Sequence, residues 1–303
     1  MTYSFGNTIL DDDYNGFKDS VNTMWSTGSG DAGYGQTAIS AVSAGSTISA
    51  TQWASLLDPI TSAASHQGST ITSITNPSAG GTISAFTALS SNVSAVTGAT
   101  RHNAVASGSD SSATTTTTSA WSTSATTTKT ITFASADQYR YFFNAGGMIR
   151  MSWSRSGGST SDQNTSWTNM LSVAGTIVLT GIGSAKNIAS VSYTGTTKIG
   201  GGGTAPATLL TGTGAEDLGA SVTLFKQLNN TYNYTANFIQ VDASRSSNTI
   251  SFAVTLSDND STPGTDSVDG TLTMTTTIRQ PSTTYLSASW GSVTQNAATW
   301  SLS

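Results

Sequence analysis

Residues 250–256 read Ile-Ser-Phe-Ala-Val-Thr-Leu, and residues 272–278 read Leu-Thr-Met-Thr-Thr-Thr-Ile. In each stretch the large apolar residues stand at alternate positions. Because successive side chains of a strand point to opposite faces of its sheet, this alternation is typical of antiparallel strands with one buried face. An acidic segment separates the two stretches, and we expect them to face one another across it as a hairpin.

The same two-residue period extends back to residue 121. Apolar residues alternate there with polar ones at Ile131, Phe133, Ile149, Met151 and Trp153. A short helical turn is expected at Thr165–Val173, where the apolar residues share one face. We therefore predict that the chain is mainly β, with residues 121–303 forming one antiparallel β-sandwich or jelly-roll-like domain.

The N-terminal residues have a helical period instead. Apolar residues on one helical face follow the acidic run Asp11–Asp13, at Tyr14, Phe17, Val21, Met24 and Trp25. Acids near the positive end of a helix stabilise it. A second helix is predicted to begin after Ser49 and to end at Gly68, kinked or split at Pro59. Residues 1–75 are therefore predicted to form a small helical module that docks the chain onto a partner.

Residues 76–120 form a Ser/Thr/Ala-rich connector that could hold a helix. Its apolar stripe consists of Ile83, Phe86, Leu89, Val93 and Val96. This stripe suits either a coiled-coil-like contact between copies or one amphipathic helix packed on its own domain. The run Ala106–Ser119 includes five consecutive threonines and is predicted to be a linker or an extended edge segment.

The composition excludes several classes of protein. Charged residues make up 9% of the 303 residues, and the net charge is −5 with 11 Lys and Arg. Without a basic cluster or a long apolar run, neither a nucleic acid nor a membrane is expected as a partner. The absence of cysteine removes disulfides and thiolate chemistry. The start, Met1–Asp13, lacks the pattern of a secretory signal, so export by that route is not expected.

Catalytic residues are not predicted, and we expect neither an enzyme nor a cofactor. The only glutamate, Glu216, and its neighbour Asp217 lie in a Gly-rich stretch that is predicted to be a solvated loop. His66 and His102 have no matching nucleophile motif and are expected to be structural. Gly28–Gly33 fits G-x-G-x-x-G, but it follows a predicted helix rather than a strand, so a dinucleotide site is not expected.

Four aspartates make the segment between the two opening stretches a weak calcium candidate. Asp258, Asp260, Asp266 and Asp269 could supply oxygen ligands to a hard cation. Their spacing is not that of a defined calcium loop, so the favoured alternative is a solvated loop whose acids keep it soluble. No other metal ligands are predicted.

Two groups of aromatic residues could form platforms on which sugars stack. They are Tyr139, Tyr141, Phe142 and Phe143, in what we interpret as a strand-like context, and Tyr232 and Tyr234. The favoured alternative places such residues in a core or at a subunit interface.

Several short segments together resemble a group of virion structural proteins of tailed phages, especially contractile-tailed phages of cyanobacteria and other marine bacteria. The segments are Tyr14-Asn15-Gly16-Phe17, GSGDAGYGQ (28–36), Thr51-Gln52-Trp53, His66-Gln67-Gly68, FFNAGGMIR (142–150), NTSWTNM (164–170), NFIQV (237–241) and Val268-Asp269-Gly270-Thr271. They span most of the chain, although residues 76–120 contain none of them.

This resemblance implies a structural component of the tail, baseplate, neck or fibre, located in the virion and assembled in the host cytoplasm. Its expected partners are other virion proteins and further copies of itself, with a trimer favoured, and a host-surface glycan is a further candidate. No catalytic residues come with the resemblance. The alternative function is a carbohydrate-binding adhesin or a host-receptor-binding module.

Overall fold

The computed structural model describes residues 10–78, 86–259 and 267–303. Its first two helices, α1 (Asp11–Trp25) and α2 (Ala50–Gln67), confirm the predicted helices. Ser49 accepts a hydrogen bond from the Gln52 amide and starts α2, and Gly68 ends it with a φ of 70°. Pro59 lies within α2, which continues on both sides of it as one helix. Pro59 therefore does not split the helix.

The third helix, α3 (Phe86–Thr97), packs against both α1 and α2. Its buried residues Leu89, Val93 and Val96 belong to the same hydrophobic core as those two helices. The apolar stripe of the connector therefore packs within its own chain, as the second sequence interpretation proposed. Ile83, the first residue of that stripe, lies outside the described residues.

Two asparagines on α1 hold the extended segment that follows this helix. Asn22 exchanges two 2.9 Å hydrogen bonds with the backbone N–H and C=O of Ile39. Asn15 does the same with Val42, at 3.0 Å. The seven-residue interval from Asn15 to Asn22 spans about 10 Å along the helix. The three-residue interval from Ile39 to Val42 spans about 9–10 Å along the extended chain, so the two asparagines match the positions of their partners. The segment is thereby fixed on α1 without forming a strand.

Beyond α3, a 3₁₀ turn at Ala99–His102 leads into a region of strands and two further helices. In chain order these are β1 (Ser107–Thr117), β2 (Ser124–Phe133), α4 (Ala136–Asn144), β3 (Met148–Ser156), α5 (Asp162–Ala174), β4 (Thr176–Leu179), β5 (Lys186–Ile188), β6 (Val191–Tyr193), β7 (Thr196–Ile199), β8 (Ala207–Leu209), β9 (Val222–Leu228), β10 (Phe238–Ser246), β11 (Thr249–Ser257), β12 (Thr271–Pro281), β13 (Val293–Gln295) and β14 (Ser301–Leu302).

These strands pair antiparallel in two principal sheets. The first has the order β1-β12-β3-β4-β7, and the second has the order β13-β2-β11-β10-β9-β8 with β14 also paired to β2. A small hairpin, β5-β6, stands apart from both. The inward residues of the two sheets share one hydrophobic core, which is the arrangement of a β-sandwich. The mainly β prediction is confirmed.

The pairing expected between the two opening stretches is wrong. β11, which contains residues 250–256, pairs with β10 and β2, whereas β12 pairs with β1 and β3. The two strands therefore lie in opposite sheets, and their apolar residues meet across the core. The alternation identified each strand correctly, but it is equally satisfied by pairing within one sheet and by facing across two.

The threonine-rich run of the connector forms the edge strand β1. Its residues Asp110–Thr117 run in continuous register with Arg279–Leu272 of β12. The C-terminal segment closes part of this edge, because Gln295 and Trp300 donate from their side chains to the Ser111 and Thr115 carbonyls at 3.2 and 3.1 Å. Of the two sequence alternatives, the extended edge segment is the one that the chain forms.

Helix α4 carries the first aromatic group, which the sequence analysis placed in a strand-like context. Tyr139, Tyr141, Phe142 and Phe143 are all buried on this helix. Tyr139, Phe142 and Phe143 contact Phe133 at the end of β2, and Tyr141 lies against Gly35 of the helical module. The strand-like interpretation is wrong, because a nine-residue segment with aromatics on several sides has no clear period. The core placement that we favoured for these residues is confirmed.

The sandwich has two different ends. At one end, β2 leads into α4 and β3 begins, and there the helical module packs against α4. At the opposite end lie the loop after β3, helix α5, the loop between β9 and β10, and residues 258–259 and 267–270, which flank β11 and β12. We call these the module end and the loop end.

Candidate functional site

The Gly-rich loop 28–33 is the main contact of the helical module with α4. Arg140 donates to the carbonyls of Gly30 and Thr27, each at 2.6 Å, and Asn144 donates to those of Asp31 and Gly33. A phosphate cradle needs backbone N–H groups that point at the ligand. This loop instead offers carbonyl oxygens to protein donors, which makes it a structural joint.

Two glycines of this loop have conformations that only glycine tolerates. Gly33 has a φ of +119°, and a Cβ there would lie 2.5 Å from the Thr27 carbonyl oxygen. At Gly28, with a φ of +66°, a Cβ would lie 2.2 Å from the Ala32 oxygen. The close turn thus accounts for the first and last glycines of the G-x-G-x-x-G pattern.

A buried polar chain continues from this joint into α2. The Gln67 side-chain amide donates to the Tyr34 hydroxyl and to the Val96 carbonyl, both at 2.9 Å, and Tyr34 donates to the Arg101 carbonyl. The His66 ring lies edge-on to Tyr34 with its centroid 5.6 Å away. Burial lowers the pKa of His66 to about 4, so His66 is neutral at pH 7 and acts in packing.

Glu216 lies in a buried cluster of ionisable side chains, and the prediction of a solvated loop is wrong for it. It sits in the 3₁₀ turn Ala215–Asp217, and its side chain is 5% exposed. Its Oε1 lies 3.9 Å from Nδ1 of His102, whose side chain is 0% exposed. Lys186 completes the cluster and donates to the Thr180 hydroxyl at 2.8 Å.

Burial dominates the protonation of these groups. Desolvation, with a further contribution from the Asp31 charge, raises the pKa of Glu216 to about 8. Desolvation, with the charge of Arg101, lowers the pKa of His102 to about 3. Desolvation also lowers the pKa of Lys186 to about 8. At neutral pH the cluster therefore holds a neutral imidazole beside a largely protonated carboxyl group.

Perturbed pKa values often accompany catalysis, but this cluster is closed. His102 and Glu216 are almost fully buried, so neither is accessible to a substrate in this structure. In the described structure, Glu216 Oε1 lacks a hydrogen-bond partner. The cluster is thus a source of pH-dependent stability at the module end.

A second polar network organises the loop end around Asp269. Its carboxylate accepts hydrogen bonds from Arg155 Nη2 at 3.1 Å, from the Ser159 amide and hydroxyl, and from the Asn164 side chain. The Arg155 guanidinium also donates to the Thr168 hydroxyl at 3.2 Å. Hydrogen bonds from Ser159 and Asn164, together with the Arg155 charge, keep the pKa of Asp269 below its usual value.

The four calcium candidates do not form a common site among the described residues. Asp269 is engaged by Arg155, and Asp258 accepts a hydrogen bond from the Gln163 side chain. Asp260 and Asp266 lie outside the described residues. Within the described ranges, no group of three or more His, Asp or Glu side chains is placed to hold a metal ion.

The second aromatic pair lies in the loop between β9 and β10. Tyr234 is 9% exposed, whereas Tyr232 is 52% exposed and has a positive φ of 56°. Asn229 holds this loop, because it accepts from the Thr231 amide and donates to the Tyr234 carbonyl, both at 3.1 Å. The structure therefore presents Tyr232 to solvent on a strained and well-anchored backbone.

The protein has one concave site on the helical module and another at the loop end of the sandwich. The module groove, of about 380 Å³, lies between α2 and the extended segment on α1 and includes Tyr14, Ile39, Ser55 and Asp58. The loop pocket, of about 350 Å³, lies at the loop end. Its lining consists of Arg155, Ser156, Gly157, Gly158, Ser159, Thr160, Thr165, Thr168 and Asn169.

Comparisons of the chain with protein-family models, with curated proteins and with solved structures find no match. Among the helices that the structure describes, none is both long and apolar enough to cross a membrane. Five of the eight short segments singled out in the sequence contact one another in two groups. GSGDAGYGQ, His66-Gln67-Gly68 and FFNAGGMIR meet at the module end, and NTSWTNM and Val268-Asp269-Gly270-Thr271 meet at the loop end.

Sequence reasoning missed Arg155 as a site residue, although the sequence contains a signal for it. In β3, Ile149, Met151 and Trp153 point into the core, and Arg155 continues that alternation. A charged residue at an inward strand position requires a buried partner or an opening. Here it has Asp269 as its partner and the loop pocket beside it. For Glu216 we find no comparable signal in the sequence.

Proposed function

We propose that this chain is a structural component of a tailed-phage virion, placed in the tail, baseplate, neck or fibre. The observation that carries the proposal is the difference between its two ends. A helical module is fixed to one end of the sandwich by Arg140 and Asn144, and anchored polar loops are presented at the other. Such a shape suits attachment at the module end and projection of the loop end.

The surface of the sandwich suits a protein exposed outside a cell. In the first sheet, two rows of hydroxyl side chains run across three strands in register, Thr114–Thr275–Ser152 and Thr116–Thr273–Ser154. These residues are polar and uncharged, and their packing needs no disulfide. Stability then rests on β pairing and on the shared core rather than on ion pairs.

The module groove is the proposed contact with a neighbouring virion protein. It contains Ser55 and Asp58, which are both exposed on α2, next to the segment held by Asn15 and Asn22. Both walls are held by side-chain hydrogen bonds or helix packing, so a partner would meet a preformed surface. Other virion proteins, assembled with this chain in the host cytoplasm, are the proposed partners.

Quantitative mass spectrometry of purified particles tests this function. A phage deleted for the chain is complemented with the wild type, with Asp58→Arg in the module groove, or with Asp19→Arg on the exposed side of α1. We expect wild type and Asp19→Arg to enter particles and Asp58→Arg to be depleted. The same aspartate-to-arginine change is made in both variants, so the difference reports position rather than charge.

Absence of the wild-type chain from purified particles would overturn the virion assignment. Equal incorporation of Asp58→Arg and wild type would keep the chain in the particle but remove the groove as its contact. Point variants are preferred to deletion of residues 1–75, because that deletion would expose the buried residue Tyr141, which lies against Gly35 of the module.

A further inference from the structure

We propose that the loop pocket binds one neutral sugar residue, with Tyr232 as an additional contact for a longer glycan. Its role in attachment to a host surface rests on the virion function proposed above, whereas the binding itself does not. The argument uses the chemistry of the pocket wall, its charge, its rigidity and the neighbouring tyrosine.

The pocket offers hydroxyl, amide and backbone groups to a ligand. Thr165 is half-buried on α5, Asn169 is exposed one helical turn further on, and Ser156 and Thr160 are exposed on the opposite wall. The polar groups surround a volume of about 350 Å³, within the range of small-molecule sites. A polyhydroxylated ring can both donate to and accept from such groups, which a purely anionic or apolar ligand cannot.

The charge of the pocket favours a neutral ligand. Arg155 is its one cationic residue, and its terminal nitrogens already donate to Asp269, Thr168 and the Asn164 carbonyl. Recognition of a carboxylate or phosphate by arginine usually uses two parallel N–H groups that are free to point at the ligand. Because Asp269 compensates the guanidinium charge, the wall presents dipoles rather than a net charge.

The pocket is also held in one shape. Gly158, on its wall, has a φ of +74°, and a Cβ there would lie 2.5 Å from Oδ1 of Asp269. Asp269 itself is fixed by Arg155, Ser159 and Asn164. The wall is therefore ordered before a ligand binds. Association then costs less conformational entropy than it would with a mobile wall, so a ligand that makes few contacts can still bind.

Tyr232 follows Thr231, which contacts the same helix α5 that supplies part of the pocket wall. Ser166 donates to the Thr231 carbonyl at 3.4 Å, while Thr165 and Thr168 of the same helix line the pocket. The loop end thus carries hydroxyl groups in a cavity and, in the neighbouring loop between β9 and β10, an exposed aromatic ring. Apolar faces of sugars stack on such rings, which suits a glycan of more than one residue.

Saturation-transfer NMR with methyl glycosides of glucose, galactose, mannose and N-acetylglucosamine tests binding to the full chain, followed by a glycan array. Thr165→Val and Asn169→Ala remove ligand-facing groups that have no part in the Asp269 network. We expect each to weaken binding about tenfold, the value of roughly one lost hydrogen bond. Thr114→Val on β1 makes the same threonine-to-valine change far from the pocket and should bind like wild type.

Tyr232→Ala is expected to weaken binding of array oligosaccharides more than binding of the methyl glycosides. Tyr285→Ala is its control, because Tyr285 is also exposed but follows β12 at the module end. Thermal unfolding of each variant verifies the fold.

Failure of every glycoside and every array glycan to bind the wild type would overturn the inference, as would unchanged binding by both pocket variants. Binding of inorganic phosphate in the pocket without any sugar signal would also overturn it, in favour of an anion site. Each of these results leaves particle incorporation unaffected, so failure of this inference is distinguishable from failure of the virion assignment.

Discussion

Glu216 Oε1 lies 3.9 Å from His102 Nδ1 where the helical module meets the sandwich. His102 belongs to the turn after α3, and Glu216 belongs to the turn that precedes β9. Their approach therefore depends on the correct docking of the module. Because both groups are buried with displaced pKa values, the pH dependence of stability reports on this contact.

Acid is expected to destabilise the protein through its two buried histidines. The pKa is lowered to about 3 for His102 and to about 4 for His66, so the folded state stays neutral while the unfolded state takes up protons below about pH 6.5. The contribution of the neutral histidines is complete above that pH and is lost as the pH falls. Each can add a slope of up to about 1.4 kcal/mol per pH unit.

Urea unfolding of wild type and His102→Gln between pH 6.5 and 4 measures this slope. We expect the stability of His102→Gln to depend less steeply on pH, and His66→Gln to behave similarly at the second site. An identical slope in all three proteins would contradict the buried, neutral state of the histidines.

Glu216 has the opposite dependence. Its pKa is raised to about 8, so its contribution is complete below its ordinary pKa near 4.5 and is lost as the pH rises through 8. Lys186 changes the stability only above its own folded pKa of about 8. The difference in stability between wild type and Glu216→Gln isolates this carboxyl group from pH 5 to 8, because the contributions of His66 and His102 are common to both proteins. We expect Glu216→Gln to gain stability relative to wild type across this interval, measured by urea unfolding; a constant difference would refute the assignment.

Loss of the Asp269 charge is expected to lower the stability of the fold more than loss of the charge of the more exposed Asp137. Asp269→Asn removes the charge that compensates Arg155, whose side chain is 5% exposed. We expect the melting temperature to fall by several degrees. Asp137→Asn is the matched control, because its partner Arg140 is also an arginine but Asp137 is 62% exposed. Differential scanning calorimetry compares the two, and equal melting temperatures would contradict the role of Asp269.

Two glycine-to-alanine substitutions, one in the structural joint and one in α1, are expected to have opposite effects on stability. Gly33→Ala places a Cβ against the Thr27 carbonyl in a conformation disfavoured for other residues, at a cost of about 1–3 kcal/mol or more. Gly16→Ala lies within α1 with nothing within 4 Å of the new Cβ and should stabilise the helix by about 0.5–1 kcal/mol. Chemical denaturation tests both, and tolerance of Gly33→Ala would disprove the close turn.

Light scattering of the purified full chain tests the proposed trimer. We expect a mass about three times that of the 30.9 kDa chain, because fibre-like components commonly hide their sheet edges by three-fold packing. A monomer would instead indicate a component that assembles only on the particle. The closure of β1 by Gln295 and Trp300 protects that edge in part, so the interface need not involve β1.

Local pattern identified the helices α1, α2 and α5 and the strands β2, β3, β11 and β12. The alternation in 250–256 and 272–278 located β11 and β12, and Ser49 and Gly68 marked the ends of α2. It failed where several tertiary solutions satisfy one pattern. The aromatic run of α4 has no clear period, and strands β11 and β12 could pair or face one another with the same side chains buried.

The sequence by itself determined the mainly β class, the helical start and the uncharged surface, because these depend on residues that are neighbours along the chain. Tertiary structure decided which strands share a sheet, that Glu216 is buried beside His102, and that Arg155 meets Asp269. These partners are separated by more than a hundred residues, and one sequence has no local signal for such a pairing. Burial then sets their pKa values and the shape of the loop pocket, so the site exists only in the folded chain.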